Sequence, residues 1–194
     1  MENFIFLAST SQRRKEIFEW MGIPFKCVHP LQKKEIQYPG ETAVSLTQRL
    51  AVEKGKSVLK RCKGKWILSA DTVVTIQNEV FGKPDTCEHA QKTLMKLRGQ
   101  EHRVVTSVAL FSVYGKLVDL FTEISRVQFK NFSSNTLKNY LNSGESLDKA
   151  GAYGIQGKGK DLIAEIQGDF FNVIGLPINK TMRCLKKRCD FLKK

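Results

Sequence analysis

The sequence predicts an α/β protein built on a mixed, twisted sheet with flanking helices. Three observations predict it. Apolar runs of strand length recur along the chain, helical apolar stripes fall between them, and the two kinds of segment mix without strict alternation. With 194 residues the chain can bury a substantial core, as a single domain over 1–194 or as two closely fused lobes.

The first run, Phe4-Ile5-Phe6-Leu7-Ala8, reads as a buried strand. Ser9-Thr10-Ser11 then makes a hydroxyl-rich turn, and Ser11 is a natural N-cap for a helix that opens with Gln12-Arg13-Arg14. Ile17, Trp20 and Met21 recur at helical spacing, and Gly22 followed by Pro24 closes the helix. A short strand follows over 25–28, and the polar stretch 30–40 reads as a loop. The next helix is expected over about 41–62, its apolar stripe carrying Ala43, Leu46, Leu50 and Val58. Lys54 falls inside that stripe, so it either snorkels to the surface or meets an anion.

Residues 66–74 are the strongest strand signal in the chain. Asn78 and its neighbours turn a hairpin, and Val80-Phe81 returns. Asp85 with Glu88 has the pattern of a capping box, opening a helix through Ala90, Leu94 and Leu97 that Gly99 ends. Two strands, 103–113 and 117–129, are joined by a turn at Tyr114-Gly115-Lys116. Ser133 or Ser134 caps a short helix with Leu137, Tyr140 and Leu141 inward. A glycine-rich segment, 144–159, leads to a strand over 162–166. The last helix is expected to begin at Pro177, with Ile178, Met182, Leu185, Cys189 and Leu192 on one face.

A hydrophobic fraction of 41% and a charged fraction of 26% are those of an ordinary globular protein. No apolar stretch approaches the roughly 18 residues of a membrane span, so no membrane partner is expected. Glu2 stands where a secretory leader would be basic, which makes the cytoplasm the expected location. Five cysteines, odd in number and without a C-x-x-C pair, form neither a disulfide framework nor, with three dispersed histidines, a zinc site. The excess of 32 Lys plus Arg over 19 Asp plus Glu permits contacts to phosphates of nucleic acid or of small polyanions. Its densest cluster, Lys186-Lys187-Arg188 with Lys193-Lys194, reads as a solvated helix face, so nucleic acid is not expected as a partner.

Two guanidiniums at a helix N-terminus add like charge to the positive end of the dipole. Arg13 and Arg14 make sense there if an anion such as a phosphate chain binds, although solvated surface charge is the alternative. Asp71 interrupts an apolar strand run, where an ionised carboxylate is costly unless it is paired or bound to metal. It reads as a metal ligand or general base, or as a partner for a nearby turn or cap. Gly82-Lys83-Pro84 and the loop from Asp148 to Gly157 add cations and backbone with little side-chain bulk. In that loop the Gln156 amide has both a donor and an acceptor, as the imide edge of thymine or uracil requires, though guanine also offers such an edge. Together these residues suit a triphosphate site, whose chemistry asks mainly for positioning and charge neutralisation.

Taken in order, Leu7-Ala8-Ser9-Thr10-Ser11-Gln12-Arg13-Arg14, Arg49-Leu50-Ala51-Val52-Glu53-Lys54 and Ala70-Asp71-Thr72-Val73-Val74 resemble the Maf family of nucleoside triphosphate pyrophosphatases. Gly82-Lys83-Pro84, Gly99-Gln100-Glu101-His102, the Asp148 to Gly157 loop and Asn172-Val173-Ile174-Gly175-Leu176-Pro177 continue the resemblance, which covers the chain from about Leu7 to Pro177. It implies cleavage between the α and β phosphates, giving monophosphate and pyrophosphate with a divalent metal, Mg²⁺ or Mn²⁺. It also implies an elongated, two-lobed inosine-triphosphatase-like fold with a central cleft, and a homodimer.

By the same resemblance Asp71 is the proton acceptor, Ser9, Arg13, Arg14, Lys54 and Lys83 hold substrate phosphates, and Arg13, Thr72 and Gln156 select the base. Asp71 and Glu35 are the implied metal ligands. The pattern resembles the dTTP/UTP subgroup; the alternatives are a 7-methylguanosine triphosphate pyrophosphatase and a nucleic-acid-binding or cell-division regulator. Three positions depart from the family: Gln12 replaces a proline, Arg98 replaces a serine, and Leu31-Gln32-Lys33-Lys34-Glu35 keeps one acid where adjacent acids are usual.

Overall fold

A computed structural model describes residues 3–31 and 35–192; Gln32, Lys33 and Lys34 of the acid-poor loop, and Lys193-Lys194 of the basic cluster, lie outside them. Seven strands form one sheet: β1 (Ile5–Ala8), β2 (Phe25–Val28), β3 (Trp66–Ile76), β4 (Glu79–Phe81), β5 (Glu101–Phe111), β6 (Leu117–Phe129) and β7 (Ile163–Gln167). Their order is β2-β1-β3-β5-β6-β7, with β4 paired to β3. β1 runs parallel to β2 and β3, while β3 with β4 and β6 with β7 are antiparallel, so the sheet is mixed as expected. The helices are α1 (Gln12–Trp20), α2 (Ala43–Lys56), α3 (Cys87–Leu97), α4 (Ser134–Leu141), α5 (Phe170–Ile174) and α6 (Ile178–Arg188).

The chain divides into two compact units, and β3, β5 and β6 each contribute residues to both. One unit comprises Met1–Asp71, Thr106–Glu123 and Gly175–Lys194. Its core includes Ala8, Ala51, Val58, Cys62, Ile67, Ala109 and Phe111. In α1 only Ile17 and Phe18 are buried, so Trp20, which shares the helical spacing, stands out in solvent.

In α2, Thr42 and Ser45 form a reciprocal capping box, and Leu46, Leu50 and Ala51 face inward. Gly55 decides how closely this helix approaches the sheet. A Cβ there would stand 2.2 Å from the Phe111 ring and 2.7 Å from Ser69 Oγ, so any side chain would push α2 away. The helix stops at Lys56, short of residue 62, because Ser57 Oγ donates to the Lys54 carbonyl at 2.7 Å while Val58 N turns to the Gly55 carbonyl. Residues Leu59–Arg61 continue as a 3-10 turn. At the other end of the unit Pro177 is the N-cap of α6 rather than its first helical residue, and Cys189 and Leu192 follow the helix instead of extending it.

The second unit comprises Thr72–Val105 and Ile124–Ile174. Gln77 (φ 47°) and Asn78 (φ 70°) make the tight turn between β3 and β4, both with the positive φ that a type I′ hairpin needs. The cap of α3 is Thr86, not Asp85: its Oγ1 accepts from His89 N at 3.1 Å. Either residue type could fill that position, and the β-branched Thr86 takes the extended cap conformation. Ser133 caps α4 in the same way. The short α5, which no sequence pattern foreshadows, is held by Asp169 Oδ1 accepting from Phe171 N and Asn172 N.

On β5, His102 packs edge-on against Phe129 and Tyr153, with ring centroids 4.7 and 5.3 Å away. All five cysteines are free. Among the described residues no helix is long and apolar enough to cross a membrane.

His102 is 1% exposed, and burial pushes its pKa down from 6.5 to about 4. A base with a depressed folded pKa stabilises the fold fully above its unfolded value. That contribution is lost as pH falls through the window from 6.5 to about 4. Across the whole window it amounts to about 3 kcal/mol. Urea melts at pH 7.5 and 5.0 should therefore show wild type losing more stability on acidification than His102→Gln. An equal loss in both proteins would exclude this origin.

Candidate active site

The parallel pair β1 and β3 is in register through Ala8 and Ser69. Ser9 directly follows the end of β1 and Asp71 lies two residues beyond Ser69 on β3, so both lie toward the carboxyl end of the parallel pair. Ligands of open α/β sheets bind at that end. Ser9 is buried, and its Oγ accepts from Ser11 N at 3.1 Å. Ser11 Oγ in turn accepts from Arg14 N at 3.4 Å. These two hydroxyl bonds shape the turn that places Arg13 and Arg14 in the first turn of α1. Gln12 is the first residue of that helix.

Arg14 donates through Nε to the carbonyl of Gly175 at 2.8 Å, a contact between residues 161 positions apart. Gly175 has φ 130°, a conformation other residues rarely adopt. The bond fixes the plane of the Arg14 guanidinium beside Asp71, Arg13 and Glu35. Burial pulls its pKa below the ordinary value, an effect that Asp71 opposes and Arg13 reinforces.

Asp71 is 2% exposed. Lys54 Nζ donates to Asp71 Oδ1 and lies 2.6 Å from Glu35 Oε1, bridging the two carboxylates. Asp71 Oδ2 is buried with no hydrogen-bond partner. Burial raises the Asp71 pKa above the usual carboxylate range, Lys54 opposes the rise, and Glu35 adds to it. The inward lysine of α2 thus meets an anion, and Gly55 beside it lets the helix come close enough for that contact.

Glu35 is held from its C-terminal side. Arg49 Nη2 donates to the Ile36 carbonyl at 2.7 Å, grips Glu41 through two nitrogens, and stacks 4.3 Å from the Tyr38 ring centroid. The Glu41 carboxyl is held below its ordinary pKa chiefly by that hydrogen bond to Arg49. Arg49, which lies in one of the family-like stretches, is a bracket for the loop.

Ser9, Arg13, Arg14, Glu35, Lys54 and Asp71 therefore belong to the first unit, where Arg14, Glu35 and Lys54 gather around Asp71. Thr72, Lys83 and Gln156 belong to the second. Thr72 is half-buried on β3, Lys83 is exposed just after β4, and Gln156 is half-exposed between buried Ile155 and exposed Gly157. Gly151 N donates to the Gly82 carbonyl at 3.0 Å, tying the Gln156 loop to the Lys83 segment. Gly151 has φ 66°, and a Cβ on it would stand 2.6 Å from Val74. In the same loop Asp148 pairs with Lys149 at 2.5 Å. Arg98, a departure from the family pattern, lays its guanidinium 5.7 Å from the Phe132 ring centroid, away from these residues in role.

A carboxylate with one oxygen held by an ammonium and the other desolvated can accept a proton or bind a cation. The arginines beside it can neutralise an anion. Gly55, Gly175 and the role of Arg49 escape sequence reasoning. An isolated glycine near the end of a helical pattern is the one local signal that marks Gly55.

The family model described as "Maf-like protein" matches residues 4–188. A protein of Clostridioides difficile (strain 630) named dTTP/UTP pyrophosphatase is 43% identical over 185 residues, covering 94% of both chains. A protein of Myxococcus xanthus (strain DK1622) with the same name is 41% identical over 186 residues, covering 96% of this chain and 93% of its own. Among solved structures, a HAM1 protein from Coxiella burnetii aligns with a TM-score of 0.52 at 16% identity, covering 96% of this chain and 100% of that one. That likeness concerns the fold, whereas the family model and the relatives decide membership: this chain belongs to the Maf family.

Proposed function

We propose that this chain hydrolyses dTTP and UTP to the nucleoside monophosphate and pyrophosphate. The observation that carries the proposal is the convergence of Arg14, Lys54 and Glu35 on a buried Asp71 with one unpartnered oxygen. The chain around it is about 40% identical to proteins named dTTP/UTP pyrophosphatase. Asp71 Oδ2 accepts a proton from the attacking water, while Lys54 holds Oδ1 and favours the ionised form of the carboxylate. Arg13 and Arg14, in the first turn of α1, neutralise phosphate oxygens together with the backbone N–H groups of the helix start. Ser9 and Lys83 complete the phosphate contacts, and Thr72, Arg13 and Gln156 read the base.

Asp71 and Glu35 fit a divalent cation, Mg²⁺ or Mn²⁺. They supply hard oxygen ligands, and Asp71 Oδ2 has no other partner. Among the described residues no group of three or more His, Cys, Asp or Glu could hold a metal. Two carboxylates suit a cation that leaves its other positions to water and substrate phosphates. Such a cation would polarise the phosphate oxygens and neutralise their charge. Lys54 bridges the same two carboxylates, and triphosphate oxygens offer its ammonium an alternative partner. A cytoplasmic location agrees with five free thiols. A homodimer, implied by the resemblance, is tested by light scattering.

Turnover of a panel of nucleotides at equal concentration tests the substrate. dTTP and UTP should lead, and preference for 7-methylguanosine triphosphate would favour the sister subgroup instead. Arg13→Ala, Arg14→Ala and Lys83→Ala should each lower kcat/KM at least about tenfold, as expected for charge-assisted bonds to phosphate. Normal activity in all three would mean the polyphosphate site lies elsewhere.

A further inference from the structure

The motif Gly99-Gln100-Glu101-His102 has no role in the proposed chemistry, and neither does Glu145. Both contact the loop that carries Gln156. We infer that His102 and Glu145 are positioning residues for Gln156, so that base selection is set by two anchors on either side of it. The inference rests on the reading of Gln156 as a base-contacting residue.

The first anchor lies N-terminal to Gln156. The Tyr153 hydroxyl and His102 Nε2 are 2.7 Å apart, a buried hydrogen bond between two neutral groups. The Tyr153 ring is wedged edge-on against His102 and Phe129, with centroids 5.3 and 4.7 Å away. Just before it, Gly151 and Ala152 both have left-handed backbone, φ 66° and 62°. Ala152 is not a glycine, so its conformation must be held by its surroundings. Tyr140 supplies one restraint by donating its hydroxyl hydrogen to the Ala152 carbonyl at 3.2 Å.

The second anchor lies C-terminal to Gln156. Lys158 N donates to Glu145 Oε1 at 3.2 Å. Gly157 presses so closely on the same carboxylate that a Cβ would stand 2.7 Å from Oε2. Lys149 completes the frame, donating from Nζ to the Glu145 carbonyl at 2.6 Å while its methylenes pack under Gly154. Between the anchors only Gly154, Ile155 and Gln156 remain. Ile155 is buried, which leaves Gln156 the more exposed of the two side chains.

An amide can tell the imide edge of thymine from the cytosine edge only if its donor and acceptor are correctly placed, because hydrogen bonds weaken steeply with angle. Loosening either anchor lets the Gln156 backbone turn, so the amide reads both edges poorly. Phosphate contacts, supplied by other residues, are untouched.

The test measures two quantities in wild type, Tyr153→Phe, Glu145→Ala and Glu145→Gln. One is the ratio of kcat/KM for dTTP to that for dCTP. The other is inhibition by inorganic tripolyphosphate, which carries no base. Tyr153→Phe and Glu145→Ala should each lower the ratio about tenfold, the scale of one lost hydrogen bond, with tripolyphosphate inhibition unchanged. Glu145→Gln, whose amide oxygen can still accept from Lys158 N, should keep the wild-type ratio. A selective wild type whose ratio is unmoved by Tyr153→Phe and Glu145→Ala overturns the inference alone. So does a parallel fall of selectivity and tripolyphosphate affinity, which marks a merely structural role. A wild type that does not prefer dTTP to dCTP overturns the substrate reading, and the inference with it. The two Glu145 variants, at a half-buried position, decide the matter even if the buried Tyr153 variant folds poorly.

Discussion

Replacing Asp71 with asparagine is expected to lower turnover at least about a hundredfold while leaving the fold intact. The amide is nearly isosteric, so the packing of β3 against α2 survives. It cannot take a proton from water, and it is a weak ligand for a hard cation. The change also removes the negative charge that Lys54 neutralises and that opposes the depression of the Arg14 pKa. Melting temperature and turnover should therefore separate, with stability near wild type and activity nearly gone. A well-folded Asp71→Asn protein with wild-type turnover would remove Asp71 from the chemistry.

The second large effect is expected from Lys54→Met. Methionine keeps much of the aliphatic stem that lies along the inward face of α2 and deletes the ammonium. Asp71 and Glu35 then share a site without the cation that bridges them. Turnover should fall about a hundredfold, the usual consequence of removing a group that stabilises developing charge. The pH profile should change as well. Burial and Glu35 raise the Asp71 pKa and Lys54 lowers it, so without Lys54 it rises further. Asp71 must be ionised to accept a proton, so the acid limb of kcat/KM should move to higher pH. An unmoved acid limb at a fixed metal concentration would contradict the coupling between Lys54 and Asp71.

Much of this arrangement is legible in the sequence because it is local. Ser11 before Arg13-Arg14 announces a capped helix start, and the structure has Ser11 accepting from Arg14 N. Asp71 stands out because it breaks an apolar strand, and Lys54 because it interrupts an apolar helical stripe. Their meeting follows from each being on the buried face of its own element. What escapes is tertiary. Gly55 matters because of Phe111, and Gly175 because of Arg14, pairs too distant in sequence for any local pattern to reveal. The cap of α3 is a different case, since the adjacent Asp85 and Thr86 are both of suitable type and the chain settles on Thr86. The early end of α2 belongs with it: Ser57 offers the Lys54 carbonyl a hydroxyl, and the helix ladder gives way there.

The site around Asp71 is proposed to cleave the α–β phosphoanhydride of a pyrimidine nucleoside triphosphate. Incubating the purified protein with dTTP and Mg²⁺, and quantifying nucleotide and phosphate products together, tests it most directly. dTMP and pyrophosphate should appear in equal amounts, with product formation abolished by Asp71→Asn. Release of orthophosphate with dTDP, or no turnover of dTTP or UTP by the folded protein, would contradict it.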